Sequence, residues 1–257
     1  MGKYLYSIAI AACLALGACS HIDENDRLIY VAPAEAQRNV LIEDFTGQRC
    51  VNCPNATEEI HKILDTYGAN VVAVAIHSGP FGGVSAVRPG LLTDTGKEYW
   101  DHWFNNDQGQ PVAKINRGKA TDNYTNWVAD VANALKVSTD VSITGEASVA
   151  DSCISISAKL SAKAGTKGKV QVWVTEDSIV DMQRMPDGSW NRTYVHNHIF
   201  RAPVNGTWGE GIEFGESVID KAWTIKVNKE WKPANMNAVI FVYDDLEVKQ
   251  VISAKVK

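Results

Sequence analysis

Val40-Leu-Ile-Glu-Asp-Phe-Thr-Gly-Gln-Arg-Cys-Val-Asn-Cys53 joins a short apolar run, a carboxylate near its end and two cysteines separated by two residues. The run from Val40 to Phe45 suits a strand buried on both faces, as in a parallel sheet. After Cys53 the period changes: Ala56, Ile60, Ile63, Leu64 and Tyr67 recur at helical spacing, and Gly68 is placed to end that helix. Two cysteines wound into the first turn of such a helix have their sulfurs within bonding reach, with the first beside unpaired backbone N–H groups. The chemistry this predicts is that of thiols and disulfides.

The N-terminus sets the compartment. Lys3 supplies a positive start, and Tyr6 to Leu16 is a mostly apolar stretch too short to span a bilayer as a mature helix. Residues 1–18 therefore read as a signal peptide, and its last residues mark it as one of a lipoprotein. Leu16-Gly-Ala-Cys19 resembles the bacterial lipoprotein box, which implies lipidation of Cys19 as the new first residue. Residues 19–37 form an acidic tether, opening with Ser20-His-Ile-Asp-Glu-Asn-Asp26, which has little to bury. Acidic residues directly after the lipidated cysteine also resemble signals that carry some lipoproteins to the outer face of the outer membrane. The expectation is an outer membrane lipoprotein exposed at the surface.

About 240 of the 257 residues remain after the signal, enough for one large domain or two ordinary ones. With 45% hydrophobic and 21% charged residues the chain is globular. A net charge of −5 offers no basic field for phosphates, so nucleic acid is excluded as a partner. No second long apolar stretch follows the signal, so attachment to the membrane is by lipid alone. Of the five cysteines, Cys13 leaves with the signal and Cys19 carries lipid, leaving Cys50, Cys53 and Cys153. Cys153 lies in the alternating stretch Ser152-Cys-Ile-Ser-Ile-Ser157 and reads as core packing.

From residue 38 to residue 137 strand and helix alternate. Val71 to Ile76 is a second buried strand, Leu92, Tyr99 and Trp103 suggest a helix, and Val112 to Asn116 a third strand. Tyr124, Trp127, Val128, Val131 and Leu135 fall on one helix face, with Asp122 or Asn123 as cap. This is an α/β domain. From 138 to 257 the helical period disappears: Val141–Val149, Ser152–Leu160, Lys169–Thr175, Thr193–Ala202, Ala222–Val227, Asn237–Tyr243 and Val248–Val256 read as strands. Lys167-Gly168 and Pro186-Asp-Gly188 mark turns, and an immunoglobulin-like sandwich is expected.

Asp44-Phe-Thr-Gly-Gln-Arg-Cys-Val-Asn-Cys53 resembles the thioredoxin active-site segment, and Gly109-Gln-Pro-Val112 resembles the loop where thioredoxins hold a cis-proline beside the cysteines. The resemblance implies a thioredoxin-like domain over 38–137. In it Cys50 attacks a substrate disulfide, Cys53 resolves the mixed disulfide, and Asp44, its pKa raised by burial, accepts the proton from Cys53. Pro111 is expected to be cis, with the flanking backbone at Gln110 pairing with extended substrate. Arg49 adds positive potential beside the Cys50 thiolate, and the loop Ser78-Gly-Pro-Phe-Gly-Gly83 offers Phe81 as a contact. Pro54 follows the second cysteine, whereas thioredoxins usually carry a proline between the two. Val51-Asn52 fills that place, so the resemblance does not set the redox direction. Tyr99, Trp100, Trp103 and Phe104 read as aromatic core or a peptide-contacting surface.

The joint pattern resembles a family of bacterial lipoproteins named for a 28-kilodalton outer-membrane protein. The phrases Glu43 to Pro54, Tyr194-Val-His-Asn-His-Ile-Phe-Arg201, Asn205-Gly-Thr-Trp-Gly209 and Phe241-Val-Tyr-Asp244 carry that resemblance. His196 and His198 are spaced to face one side of a strand, yet no third ligand accompanies them, so a structural patch is the reading and neither metal nor cofactor is expected. The expected partners are protein thiols or disulfides of the cell envelope. The rival is a non-catalytic surface lipoprotein that binds a protein or glycan and keeps Cys50–Cys53 as a structural disulfide. Oligomeric state has no signature in the chain.

Overall fold

Seven consecutive buried residues, Val40–Thr46, form strand β2, preceded by the two-residue β1 (Ala36–Gln37). Period-two alternation divides them: Val40 and Ile42 pack on one side of the sheet, Leu41 and Phe45 on the other. Both faces are covered, which is why the run is apolar throughout. The computed structural model describes residues 36–85, 87–104 and 108–257. The expected signal peptide, Cys19 and all but the last two residues of the tether lie outside them.

Helix α1 (Cys53–Tyr67) buries Ala56, Ile60 and Ile63. Pro54 stands in its first turn, where the missing N–H has no intrahelical partner to lose. Gly68, at φ 54°, ends it as expected. Strand β3 (Val71–His77) then lies parallel to β2, in register from Val40 opposite Val71 to Thr46 opposite His77. Helix α2 (Asp94–Phe104) follows, then β4 (Val112–Ile115) antiparallel to β2, the short β5 (Ala120–Thr121), a 3-10 turn capped by Asn123, and α3 (Trp127–Ala134). Helices α1 and α3 cover one face through Ile60, Ile63, Trp127 and Val131. Helix α2 covers the other with Tyr99, Trp100 and Phe104, which answers the aromatic question in favour of core.

The remainder is β structure: β6 (Ser138–Thr139), β7 (Ser142–Ala150), β8 (Cys153–Ser161), β9 (Lys167–Glu176), β10 (Ile179–Arg184), β11 (Trp190–His196), β12 (Ile199–Pro203), β13 (Glu210–Glu213), β14 (Ile219–Lys226), β15 (Met236–Tyr243) and β16 (Val248–Lys255). Strands β14, β8 and β7 make a three-stranded layer. Its apolar face, with Ile143, Ile154, Ile156 and Leu160, meets Val170, Val172, Val174, Ala238 and Ile240 of β9 and β15.

Strands from both sides of the expected 137/138 boundary share one sheet, ordered β16-β15-β9-β12-β3-β2-β4-β5, with β13 also on β9. The join is β12, parallel to β3 at Ile199 opposite Ala75 and antiparallel to β9. Two local expectations are corrected. Lys167-Gly168 is not a turn but the start of β9, paired with Glu213 and Ile212 of β13. The expected strand Thr193–Ala202 is broken, because His198 adopts φ 58° and its N–H donates to Asp177 Oδ1 at 2.7 Å. Strand β10 was not foreseen, and it builds the hairpin β10–β11 around the foreseen turn at Pro186-Asp-Gly188.

Candidate functional site

Cys50 and Cys53 form a disulfide, with 5.4 Å between their Cα atoms. Residues 47–50 make a turn closed by Cys50 N–H donating to the Gly47 carbonyl at 3.1 Å. That turn delays the helix, whose cap is Asn52 and whose first residue is Cys53. The expectation that Cys50 lies in the first helical turn is thereby corrected: Cys53 takes that place, and Cys50 precedes the cap by two residues. Gly47 is required here, because a Cβ would stand 2.2 Å from the carbonyl oxygen of Phe81. Only glycine lets the loop at Phe81 close on the turn, where Arg49 N–H donates to Phe81 O at 3.1 Å.

Both cysteines are nearly sealed, Cys50 at 3% and Cys53 at 2% exposure. The β10–β11 hairpin forms part of that seal. Gln183 Nε2 donates to the carbonyls of Cys50 (3.0 Å) and Gly47 (3.3 Å), and Arg184 N–H donates to Gln48 O at 2.8 Å. In return Gln48, fully buried, donates from Nε2 to Met182 O at 2.8 Å and accepts from Leu91 N–H at 2.9 Å. Arg88 pairs with Asp181 at 2.6 Å across the same junction. Hairpin, loop and turn are thus bonded to one another through main-chain groups, which fixes their relative position.

Behind Cys53 lies a cavity of about 20 Å³, room for one water molecule, lined by Thr46, Thr57, His77, Tyr194 and His196 among others. The rings of His77 and His196 are 5.4 Å apart. Burial and the neighbouring His196 push His77 down to about 3, and burial pushes His196 down to about 4, so both are neutral at pH 7. His77 Nδ1 stands 3.1 Å from Gly82 O; as the donor there it leaves Nε2 an acceptor. Tyr194 hydrogen-bonds Thr57, whose hydroxyl donates to Cys53 O at 3.2 Å. Asp44 is 1% exposed, on the same side of β2 as the cavity-lining Thr46 and within electrostatic reach of Tyr194. Its Oδ1 has no hydrogen-bond partner, and burial raises the carboxyl to about 8. The group therefore holds a proton at neutral pH and gives it up just above.

Pro111 follows a cis peptide bond from Gln110, directly before β4. The Gln110 side chain is committed to the scaffold: Nε2 donates to Thr46 O (2.7 Å) and Ser78 O (3.0 Å), and Oε1 accepts from Phe81 N–H (3.1 Å). Phe81 itself is 41% exposed, and the exposed Arg49 donates to Pro80 O. Arg49, Phe81 and Gln110 thus meet where that loop closes on the cysteine turn. Cys153 is a free thiol in β8. His196 and His198 part company: the first is buried at the cavity, the second lies 3.2 Å from Asp177. Among the described residues no group of three or more His, Cys, Asp or Glu side chains is arranged to hold a metal. Sequence reasoning missed His77, Gln183 and Tyr194 and gave His196 no part in this site. Tyr194 and His196 stood within a quoted phrase, but only the fold carries that phrase to the cysteines.

The fold is shared with solved structures. HBP35 of Porphyromonas gingivalis aligns with a TM-score of 0.67 at 11% identity, over 87% of this chain and 77% of its own. Protein AGR_C_4864 of Agrobacterium tumefaciens aligns with a TM-score of 0.56 at 16% identity, over 86% of this chain and 95% of its own. At these identities the likeness is one of fold. No curated protein matches the chain. A family model, described as outer membrane protein Omp28, matches residues 97–257, which include most of α2, the sheet junction at β12 and the hairpin that seals the cysteines. With well over half its length matched, the chain belongs to the Omp28 outer membrane protein family.

Proposed function

We propose that the protein is a lipid-anchored thiol-disulfide oxidoreductase of the cell envelope, acting on protein thiols and disulfides through Cys50 and Cys53. In this reading residues 38–137 are a thioredoxin-like half, and the immunoglobulin-like half at 138–257 supplies the hairpin over the cysteines. Asp44 carries the argument. A disulfide kept only for stability gains nothing from an unpartnered carboxyl group, whose burial costs about 1–3 kcal/mol. A redox pair needs a proton donor and acceptor on the Cys53 side, and a group at about 8 is matched to a thiol near 8.5.

An incoming thiolate attacks Cys50 Sγ, breaking the Cys50–Cys53 bond and forming a mixed disulfide. Cys53 leaves as a thiolate and takes the Asp44 proton. A second thiol of the incoming molecule then attacks the mixed disulfide and frees Cys50. Two electrons pass from the dithiol to the pair, and the reverse sequence reduces a disulfide. Burial of both sulfurs favours a second reading, a surface lipoprotein with a structural disulfide that binds a protein or glycan.

Equilibration against dithiol and glutathione buffers separates the two. A potential above about −300 mV, with a mixed disulfide trapped by Cys53→Ala, is the expected result. A lower potential, no exchange with model disulfides, and a Cys50→Ser variant altered only in stability would sink the enzyme.

A further inference from the structure

Strand β14, Ile219-Asp-Lys-Ala-Trp-Thr-Ile-Lys226, pairs with β8 residue for residue, and among the described residues no strand lies on its other side. A sheet edge presents N–H and C=O groups to any passing strand, so folded proteins keep edges short, cover them or bend them with bulges. The other edges of this chain are managed in those ways. Strands β1, β5 and β6 are two residues long and β13 is four. The C-terminus closes β7, with Val149 N–H donating to Lys257 O at 3.0 Å and Lys257 N–H to Ala147 O at 3.1 Å. At β16 the Asn39 side chain donates to Val251 O at 2.9 Å, and the hairpin β10–β11 carries a bulge. By contrast β14 has eight residues, no proline and no register shift, and among the described residues its main chain bonds only to β8.

The two faces of β14 set what an added strand must be. Inward, Ile219, Trp223 and Ile225 pack on the core of the β-rich half yet stay only half-buried. The strand beside them must therefore be apolar on that face. Lys221, the one inward charge, does not guard the edge, because Glu210 holds it at 3.3 Å and also accepts from the Trp223 indole at 3.2 Å. Outward, Asp220, Ala222, Thr224 and Lys226 are exposed. An acid near one end and a base at the other call for a strand carrying the same two charges in reverse order.

A second copy of β14, laid antiparallel, meets both demands, since reversal exchanges the two ends and keeps apolar side chains on one face. A two-fold axis makes such contacts reciprocal. Asp220 and Lys226 stand equally far from Trp223 in the sequence. An axis at Trp223 therefore sets Asp220 opposite Lys226 of the partner subunit, and Lys226 opposite the partner's Asp220. It also brings Trp223 beside Trp223 of the partner subunit, covering the half-open apolar row. Axes at Ala222 or Thr224 leave both charges opposite uncharged residues. We infer that the protein forms a two-fold dimer in which β14 pairs antiparallel with β14 of a second copy about Trp223, joining two three-stranded layers into one of six. The assignment holds whether or not the cysteine pair is redox-active.

Sedimentation velocity of the full mature chain over a range of concentrations tests it. A monomer–dimer equilibrium with a Kd on the order of 10 µM is expected, in keeping with a small interface. Asp220→Lys and Lys226→Asp each set like charges opposite one another at both ends of the ladder, and each alone should weaken association about tenfold or more. Asp220 is 71% exposed at its side chain and Lys226 is exposed, so neither change disturbs the monomer. Mixed in equal amounts, the two variants should associate at least as tightly as wild type, because each meets in the other the charge it has lost. A folding defect cannot produce that rescue. A wild-type chain still monomeric at about 200 µM, single variants that associate like wild type, or a mixture that stays monomeric overturns the assignment.

Discussion

Adjacent residues Glu43 and Asp44 are both buried, one answered by the Arg117 guanidinium and the other by nothing. Asp44 therefore writes its own pH dependence. Its folded-state value, about 8, lies far above that of an unfolded aspartate, so between them the unfolded chain binds fewer protons and stability falls as pH rises. His77 and His196 act in the opposite sense: with folded values near 3 and 4, stability rises with pH until the unfolded histidines lose their protons around 6.5. By about pH 7.5 the histidine contribution is flat, while Asp44 still lowers stability as pH rises and Glu43, also raised by burial, acts in the same sense. Urea unfolding of the oxidised protein should show a net loss of roughly 1 kcal/mol between pH 7 and 8.5, reduced or absent in Asp44→Asn. An equal loss in the variant would mean that another group titrates. Gly47 offers a check that does not depend on titration. Gly47→Ala forces the cysteine turn and the Phe81 carbonyl apart and should destabilise the protein by about 1–3 kcal/mol in the same assay.

At the scale of elements, the hairpin β10–β11 decides how the cysteines are reached. An attacking thiolate needs the Cys50 sulfur exposed, so reduction is gated by local opening against the bonds from Gln183 and Arg184. Gln183→Ala removes the two bonds from the hairpin to carbonyls of the cysteine turn, worth about 1–1.5 kcal/mol together, and should speed reduction of the disulfide by dithiothreitol about tenfold, measured by quenching and thiol labelling. A rate unchanged from wild type would show that the hairpin is not the gate. This same hairpin marks where sequence reasoning stopped. Strands β2 and β3 and helix α1 were legible because each is a local period filled with apolar residues, and Gly68 and the turn at residues 186–188 announced their own backbone. Ile179-Val-Asp-Met-Gln-Arg184 announces nothing, because Asp181 and Gln183 are polar where a half-buried strand shows apolar alternation. They are polar because they bond to Arg88 and to the cysteine turn, a partnership across more than 90 residues that no local pattern records. Asp44, Cys50, Cys53 and Pro111 were legible as a spaced set, while Tyr194 and His196 reach the cavity only once the hairpin is folded over it.

Across the whole molecule, the question is whether the chain behaves as two bodies or one. Period and composition change near residue 137, yet β12 lies between β3 and β9 and draws both sides into one sheet. The strand contact alone is slight, a single parallel pair at Ile199 and Ala75 with one flanking bond from Ala75 N–H to His198 O. Side chains supply the rest: Phe45, Tyr99 and Trp100 from one half form a continuous buried cluster with Trp173, Phe200 and Phe241 from the other. Tyr99 is held from both directions, its ring 5.5 Å from Trp173 and 5.8 Å from Phe200, its hydroxyl accepting from the Trp173 indole at 3.0 Å. A cluster of this size cannot be opened to water for one half without stripping the other, so residues 36–257 should unfold in a single calorimetric transition with equal calorimetric and van't Hoff enthalpies. Phe200→Ala, at the centre of the join, should cost about 3–5 kcal/mol and lower Tm by about 10 °C while leaving one transition. Two resolved transitions in the wild-type protein, or a Phe200→Ala variant that shifts only part of the heat absorbed, would show that the shared sheet joins independently stable halves.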